Sequence, residues 1–192
     1  MGNDFTSSLR PAFVLTILFA ILLGLIYPLA MTGIGQAIFP SQANGSLVRD
    51  ASGRVVGSSV IGQSFTSDRY FQTRPSAAGK GYDGLASSGS NFGPASQALV
   101  DRVQPDIAKR RAEGVTSPLP ADLVTASGSG LDPDLSPASA QAQVARVART
   151  RGIAPDQLRA LIERNTERPL LGEPHVNVFA LNRALDSASR GR

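Results

Sequence analysis

The stretch PAFVLTILFAILLGLIYPLAM, Pro11 to Met31, carries no charged side chain. A helix needs roughly 20 apolar residues to cross about 30 Å of hydrocarbon, and this run reaches that length. It is apolar on every side, so packing against a small soluble domain would not account for it. Tyr27 and Pro28 stand where an interfacial aromatic and a tolerated helix breaker belong in a membrane span. A cleaved leader has an apolar region of about 7–15 residues followed by a small-x-small site, which Leu29-Ala30-Met31 does not supply. Residues 11–31 therefore read as an uncleaved transmembrane helix.

Outward from this anchor, Arg10 and the α-amino group flank one side, with Asp4 partly opposing them, and the next charged residue on the other side is Arg49. The positive-inside rule then places residues 1–10 in the cytoplasm and the bulk of the chain outside. Residues 32–45, rich in Gly, Ser, Gln and Pro, read as a tether leaving the membrane. The remainder, 46–192, suffices for one small extracytoplasmic domain. Its expected class is α+β, with a small sheet and several helices.

Two β-type pieces, Ser46–Arg49 and Arg54–Val56, flank Asp50-Ala51-Ser52-Gly53, whose turn chemistry predicts a hairpin. From Gly57 to Pro94 glycine, serine and aromatics alternate without helical period, which reads as an ordered, loop-rich surface. Pro94 suits the first position of a helix carrying Leu99, Val103 and Ile107, and Pro105 should break or kink it. Ser136-Pro137 supplies an N-cap and a proline at N1. Ala140, Val144, Val147 and Ala148 then share one face, with Arg146 and Arg149 on the opposite one. Arg151-Gly152 is a basic last turn and a glycine stop. Pro155 opens a helix with Leu158, Leu161 and Ile162. Val176-Asn177-Val178 reads as a short strand before a final helix bearing Leu181, Ala184 and Leu185.

Composition excludes several chemistries. There is no cysteine, hence no disulfide, no thiolate metal site and no thiol nucleophile, and a single histidine, His175, rules out a multi-histidine metal site in one chain. Nineteen basic against fifteen acidic residues leave only +4, dispersed along the chain, and aromatic content is 6% without tryptophan. Neither a basic stripe nor a stacking surface for nucleic acid results. Walker A, nucleophile-elbow and serine–lysine spacings all fail. Pro133 between Asp132 and Asp134 spoils a calcium loop. His175 could serve as a general base, but a lone histidine entering a strand is more often structural. Two serine–glycine clusters remain, Ser87-Ser88-Gly89-Ser90-Asn91 and Ser127-Gly128-Ser129-Gly130. Their amides, hydroxyls and carbonyls suit an anion nest, a polar partner-facing surface, or simple capping of neighbouring helices.

These clusters and their neighbours carry a resemblance. Ile61-Gly62-Gln63-Ser64-Phe65, Tyr70-Phe71-Gln72-Thr73-Arg74-Pro75-Ser76-Ala77-Ala78, Ser87-Ser88-Gly89-Ser90-Asn91-Phe92-Gly93-Pro94, Asp122 through Pro133, Gln143-Val144-Ala145-Arg146-Val147-Ala148 and Val176-Asn177-Val178-Phe179-Ala180-Leu181-Asn182 together resemble, in order, the C subunit of the bacterial Kdp-type potassium-transporting ATPase. The resemblance implies an accessory subunit of an ATP-driven potassium uptake complex in the bacterial inner membrane. It would not be catalytic alone, would be needed for assembly, and would act as a catalytic chaperone raising the pump's apparent ATP affinity. Implied partners are a channel-like potassium-binding subunit, a P-type ATPase subunit and a small fourth subunit, with membrane lipid around the anchor. Potassium is the implied transported ion, and Gln143 the implied ATP contact. Because ATP is cytoplasmic and the orientation argument puts Gln143 outside, an effect through linkage is the alternative to direct contact. The competing functional class is an independent membrane-anchored extracytoplasmic binding module.

Overall fold

The computed structural model describes residues 2–116 and 118–190. Met1, Gly191 and Arg192, the extremes of the expected segments, lie outside the described residues. Contacts divide the chain into two compact units, Met1–Val55 and Val56–Arg192.

The first unit is dominated by helix. Helix α1 (Gly2–Ile21) passes through a single π turn at Leu22–Ile26 into α2 (Tyr27–Ile38). Ser7–Ile38 is 32 residues long, of mean hydropathy 2.5, and long and apolar enough to cross a membrane. Pro11 lies in the middle of α1, and Pro28 occupies the first turn of α2. The sequence reading ends the helix at Met31 and begins a tether at residue 32; the structure corrects this. Thr32–Ile38 continue the helix, and a short turn, α3 (Pro40–Ala43), follows. A Cβ on Gly33 would meet nothing within 4 Å and one on Gly35 would meet the Ala43 Cβ at 4.0 Å, so neither glycine forces the chain out of the helix already under way. The expected hairpin is present as β1 (Leu47–Arg49) and β2 (Val55–Ser58). Asp50 builds its turn, its Oδ1 accepting from the Ser52 amide at 2.9 Å and the Arg54 amide at 3.1 Å.

The second unit is α+β. Its sheet has the order β3-β5-β4, all antiparallel, from β3 (Asp134–Leu135), β4 (Thr166–Glu167) and β5 (His175–Asn177). Leu135 and Thr166 both register with Val176, and Glu167 with His175. Around it pack α5 (Pro137–Ala142), α6 (Val144–Arg151), α7 (Pro155–Arg164) and α8 (Val178–Arg190). Ser136 caps α5 as expected, accepting from the Ser139 amide at 3.1 Å, and Gly152 ends α6 at φ +65°. Leu135, Val144, Val147, Leu158, Ile162, Val176, Leu181 and Leu185 form the core. Burying each such side chain is worth about 1.5–3 kcal/mol.

Three expectations about this unit need correction. Helix α4 (Gln97–Ala112) begins at Gln97 behind Ser96 rather than at Pro94, and of the break or kink expected at Pro105 the break does not occur. Its last turn explains the persistence, because Arg110 is buried and donates to Gln72 at 2.8 Å and to Glu113 at 3.1 Å. The region 57–94 is not all surface either. Phe71, Gln72 and Thr73 are buried, and Phe71 is part of the core. Finally, Arg146 does not project into water; it is 2% exposed. The segment 68–72 lies over that side of α6, and Ala145, Arg149 and Thr150 are left exposed.

Candidate functional site

Tyr70–Gln72 lies in no strand, yet each of its backbone N–H and C=O groups has a partner. In an extended chain successive residues point their N–H and C=O to opposite sides. On one side Asn182 of α8 takes both groups of Phe71: its Oδ1 accepts from the amide at 2.9 Å and its Nδ2 donates to the carbonyl at 2.8 Å. On the other side Gln143 does the same for Gln72, at 2.8 and 3.0 Å. Two side-chain amides thus stand in for the two neighbouring strands of a sheet. Buried backbone groups demand such partners, which is why polar residues occupy these core positions.

Gln143 sits between α5 and α6 and is 1% exposed. Its Oε1 also accepts from Arg146 at 2.6 Å. Arg146 donates onward to the carbonyls of Asp68 at 2.8 Å and Tyr70 at 3.0 Å, and it pairs with Glu113 at 3.4 Å. Burial pulls the Arg146 guanidinium below its ordinary value, against the pull of the Glu113 carboxylate. Gln72 Oε1 completes the cluster by accepting from Arg110 and, at 3.1 Å, from Lys109. Gln143, the nucleotide contact implied by the resemblance, is therefore enclosed and fully engaged in holding the Gln72 backbone. In this conformation it offers no atom to a dissolved ligand.

The two serine–glycine clusters come together. Ser88 donates its amide, and Ser87 its hydroxyl, to the Ser129 carbonyl at 2.9 and 3.0 Å. Ser76 donates to the Gly130 carbonyl at 2.6 Å. Gly130, at φ +66°, is buried so closely that a Cβ there would lie 2.6 Å from the Ala78 nitrogen and the Ser88 oxygen. It is thus a packing point rather than part of an outward-facing surface. A Cβ on Gly89 would stand 3.0 Å from the Gly128 carbonyl. Behind the loops Arg74 donates to the carbonyls of Thr125 at 3.2 Å and Ala126 at 3.3 Å, and pairs with Asp132 at 2.9 Å. Several carbonyls are consequently spent inside the loop pair. Ser87, Ser88, Asn91, Gly128 and Ser129 stay exposed, while Ser90 and Ser127 are half-buried.

His175 lies on the sheet with its Nε2 3.7 Å from Glu167 and 3.9 Å from Asp134. Nδ1 faces the Glu173 carbonyl at 3.0 Å, an acceptor only, so that nitrogen carries the proton. This contact, with help from the Asp134 and Glu167 carboxylates, raises the histidine above its ordinary value. Burial likewise raises the Asp134 carboxyl, opposed by His175. Among the described residues no group of three His, Asp or Glu is placed to hold a metal ion.

The buried amide clamp was missed at the sequence level. Gln143 and Asn182 both fall at edges of apolar helix faces, and that placement is the only sequence signal they give.

Residues 9–187 match the family described as KdpC: K+-transporting ATPase, c chain. The chain is similar to the potassium-transporting ATPase KdpC subunit of Caulobacter vibrioides (strain NA1000 / CB15N), at 58% identity over 184 residues, 94% of this chain and 93% of that one. It is 51% identical to the protein of that name from Myxococcus xanthus over 97% of this chain and 89% of the relative. For the Variovorax paradoxus (strain S110) protein of the same name the figures are 54%, 96% and 98%.

Proposed function

The chain belongs to the KdpC family of K+-transporting ATPase c chains, and on that premise we propose that it is the accessory, non-hydrolytic subunit of an ATP-driven potassium uptake complex. The observation that carries this reading is the extent of the match. It covers the apolar helix and the α+β unit alike, which favours a family subunit over a generic tethered module. The helix holds the chain in the bacterial inner membrane among the other subunits, with the domain extracytoplasmic. There the exposed side of the paired loops, Ser88, Asn91, Gly128 and Ser129, faces the potassium-binding subunit. Its uncharged dipoles suit a cation's approach, which needs sites weak enough to release the ion. Any rise in the pump's affinity for ATP is transmitted by linkage through assembly, since Gln143 is enclosed.

The test is a tagged chain purified from native membranes, as wild type and as Ser88→Ala/Ser90→Ala. The reading expects a larger ATPase subunit to copurify with both, and the apparent KM for potassium to rise in the variant. A chain isolated alone favours an independent binding module. An intact variant complex with unchanged KM removes the loops from the potassium path.

A further inference from the structure

Residues 168–174, Arg168-Pro169-Leu170-Leu171-Gly172-Glu173-Pro174, join β4 to β5 as the tip of a hairpin that neither the clamp nor the loop pair uses. Leu170 and Leu171 are each at least nine-tenths exposed, and among the described hydrophobic residues outside the apolar helix only Leu85 matches them. Single exposed leucines are ordinary on a protein surface. This pair is adjacent, and its loop is framed. Pro169 and Pro174 fix their own φ, and Gly172 takes the turn at φ +112°, with the Pro169 ring 3.6 Å from where a Cβ would stand. The loop is preset to hold both leucines in water, so covering them costs little conformational entropy. The base of the tip is acidic. Between residues 163 and 174, Glu163, Glu167 and Glu173 outnumber Arg164 and Arg168, and Arg168 is spent on Glu163 at 2.6 Å. Glu173 makes no ion pair among the described residues, and Asp134 of β3 adds a carboxylate 3.9 Å from His175.

We propose that this tip is a plug that enters an apolar pocket, rimmed by Lys or Arg, on a larger subunit of the pump; the inference rests on the chain being a subunit of that complex. An occupant has to suit both the leucines and the acidic collar. A bilayer surface suits the leucines alone, because anionic headgroups repel the collar and membrane-inserting segments carry cations instead. A second copy of this chain, docked tip to tip, would set two acidic collars against each other. Two leucines also cover far less than the roughly 1,200 Å² of a stable interface between free proteins. They suffice for a chain that its own apolar helix already keeps beside the partner, where docking is effectively intramolecular.

The experiment replaces Leu171 of the full chain with the photo-crosslinking residue benzoylphenylalanine, irradiates native membranes, and maps the purified product by peptide. The expected product joins this chain to a larger subunit, through an apolar peptide with Lys or Arg beside it. Leu170→Asn in the same chain should lower the yield about tenfold, the worth of one buried leucine, and Glu173→Lys should lower it as well. Both positions are exposed, so the thermal melt should stay as in the wild type. A crosslink to phospholipid or to a second copy of this chain overturns the proposal, as does a yield that neither substitution lowers. An intact complex without any crosslink overturns it too, and leaves the subunit reading standing. If no larger subunit copurifies even with the wild-type chain, that reading fails and the plug with it.

Discussion

Gln143 concentrates the chemistry of the fold at a single side chain. Its two amide atoms satisfy the Gln72 N–H and C=O, and its oxygen also receives Arg146. Gln143→Ala leaves those groups buried without partners, at about 1–3 kcal/mol for each. The expected loss is therefore at least about 2 kcal/mol, read as a lowered melting temperature of the full chain in detergent by circular dichroism. A Gln143→Ala protein as stable as wild type would show that the clamp is dispensable. At His175 the prediction concerns pH. Its folded value lies above its ordinary one, so its contribution is fully present below about pH 6.5 and disappears as pH rises through the folded value. Stability should fall as pH rises above about 6.5, and His175→Gln should flatten that slope. The raised Asp134 acts with the same sign in a more acidic window, because its ionised form is the less favoured one in the folded chain. Neither role was legible beforehand. A glutamine on a helix edge and a histidine entering a strand have the same sequence appearance whether they face water or a buried carbonyl.

Elements were more legible than residues, for a physical reason. Caps, turns and apolar runs act locally, so Ser136-Pro137, Arg151-Gly152 and the Asp50 turn behave as their chemistry dictates. Misreadings arose where distant segments intervene. Pro105 lacks the N–H that would reach the Asp101 carbonyl, yet α4 continues because its end is tied down at Arg110 and Glu113. Arg146 was placed on the solvent face because helical period alone cannot anticipate the strip 68–72 laid over it. The same argument yields a prediction. Proline in a helix interior costs about 3 kcal/mol, partly recovered through the stiffer unfolded chain. Since the helix already has its shape, Pro105→Ala should stabilise the protein by about 2 kcal/mol. A raised denaturation midpoint with an unchanged slope is the expected reading. A lowered one would mean that a kink at Pro105 is needed to bring Arg110 to Gln72.

For the whole molecule the separation of labour is sharp. Among the described residues every member of the core, from Phe71 to Leu185, comes from the second unit. At 1.5 Å per residue the 32 residues Ser7–Ile38 extend about 48 Å, well beyond the roughly 30 Å of hydrocarbon they have to cross. The turns after Met31, where the sequence suggests a tether and the structure has helix to Ile38, contribute to this excess. Removing residues 1–45 should thus leave a domain that melts cooperatively, because no core contact is lost. It should equally abolish stable association with the pump, because a helix in the bilayer is held by close lateral packing that a soluble domain cannot replace. Gly24, inside the π turn with no atom within 4 Å of its notional Cβ, is the point where another helix could approach most closely. The measurement pairs a thermal melt of the truncated protein with potassium-limited growth of cells making it in place of the full chain. A folded domain and no growth are expected. Full growth would sink the idea that the anchor is needed for assembly, and an unfolded domain would show that the first unit supports the second in ways its burial does not reveal.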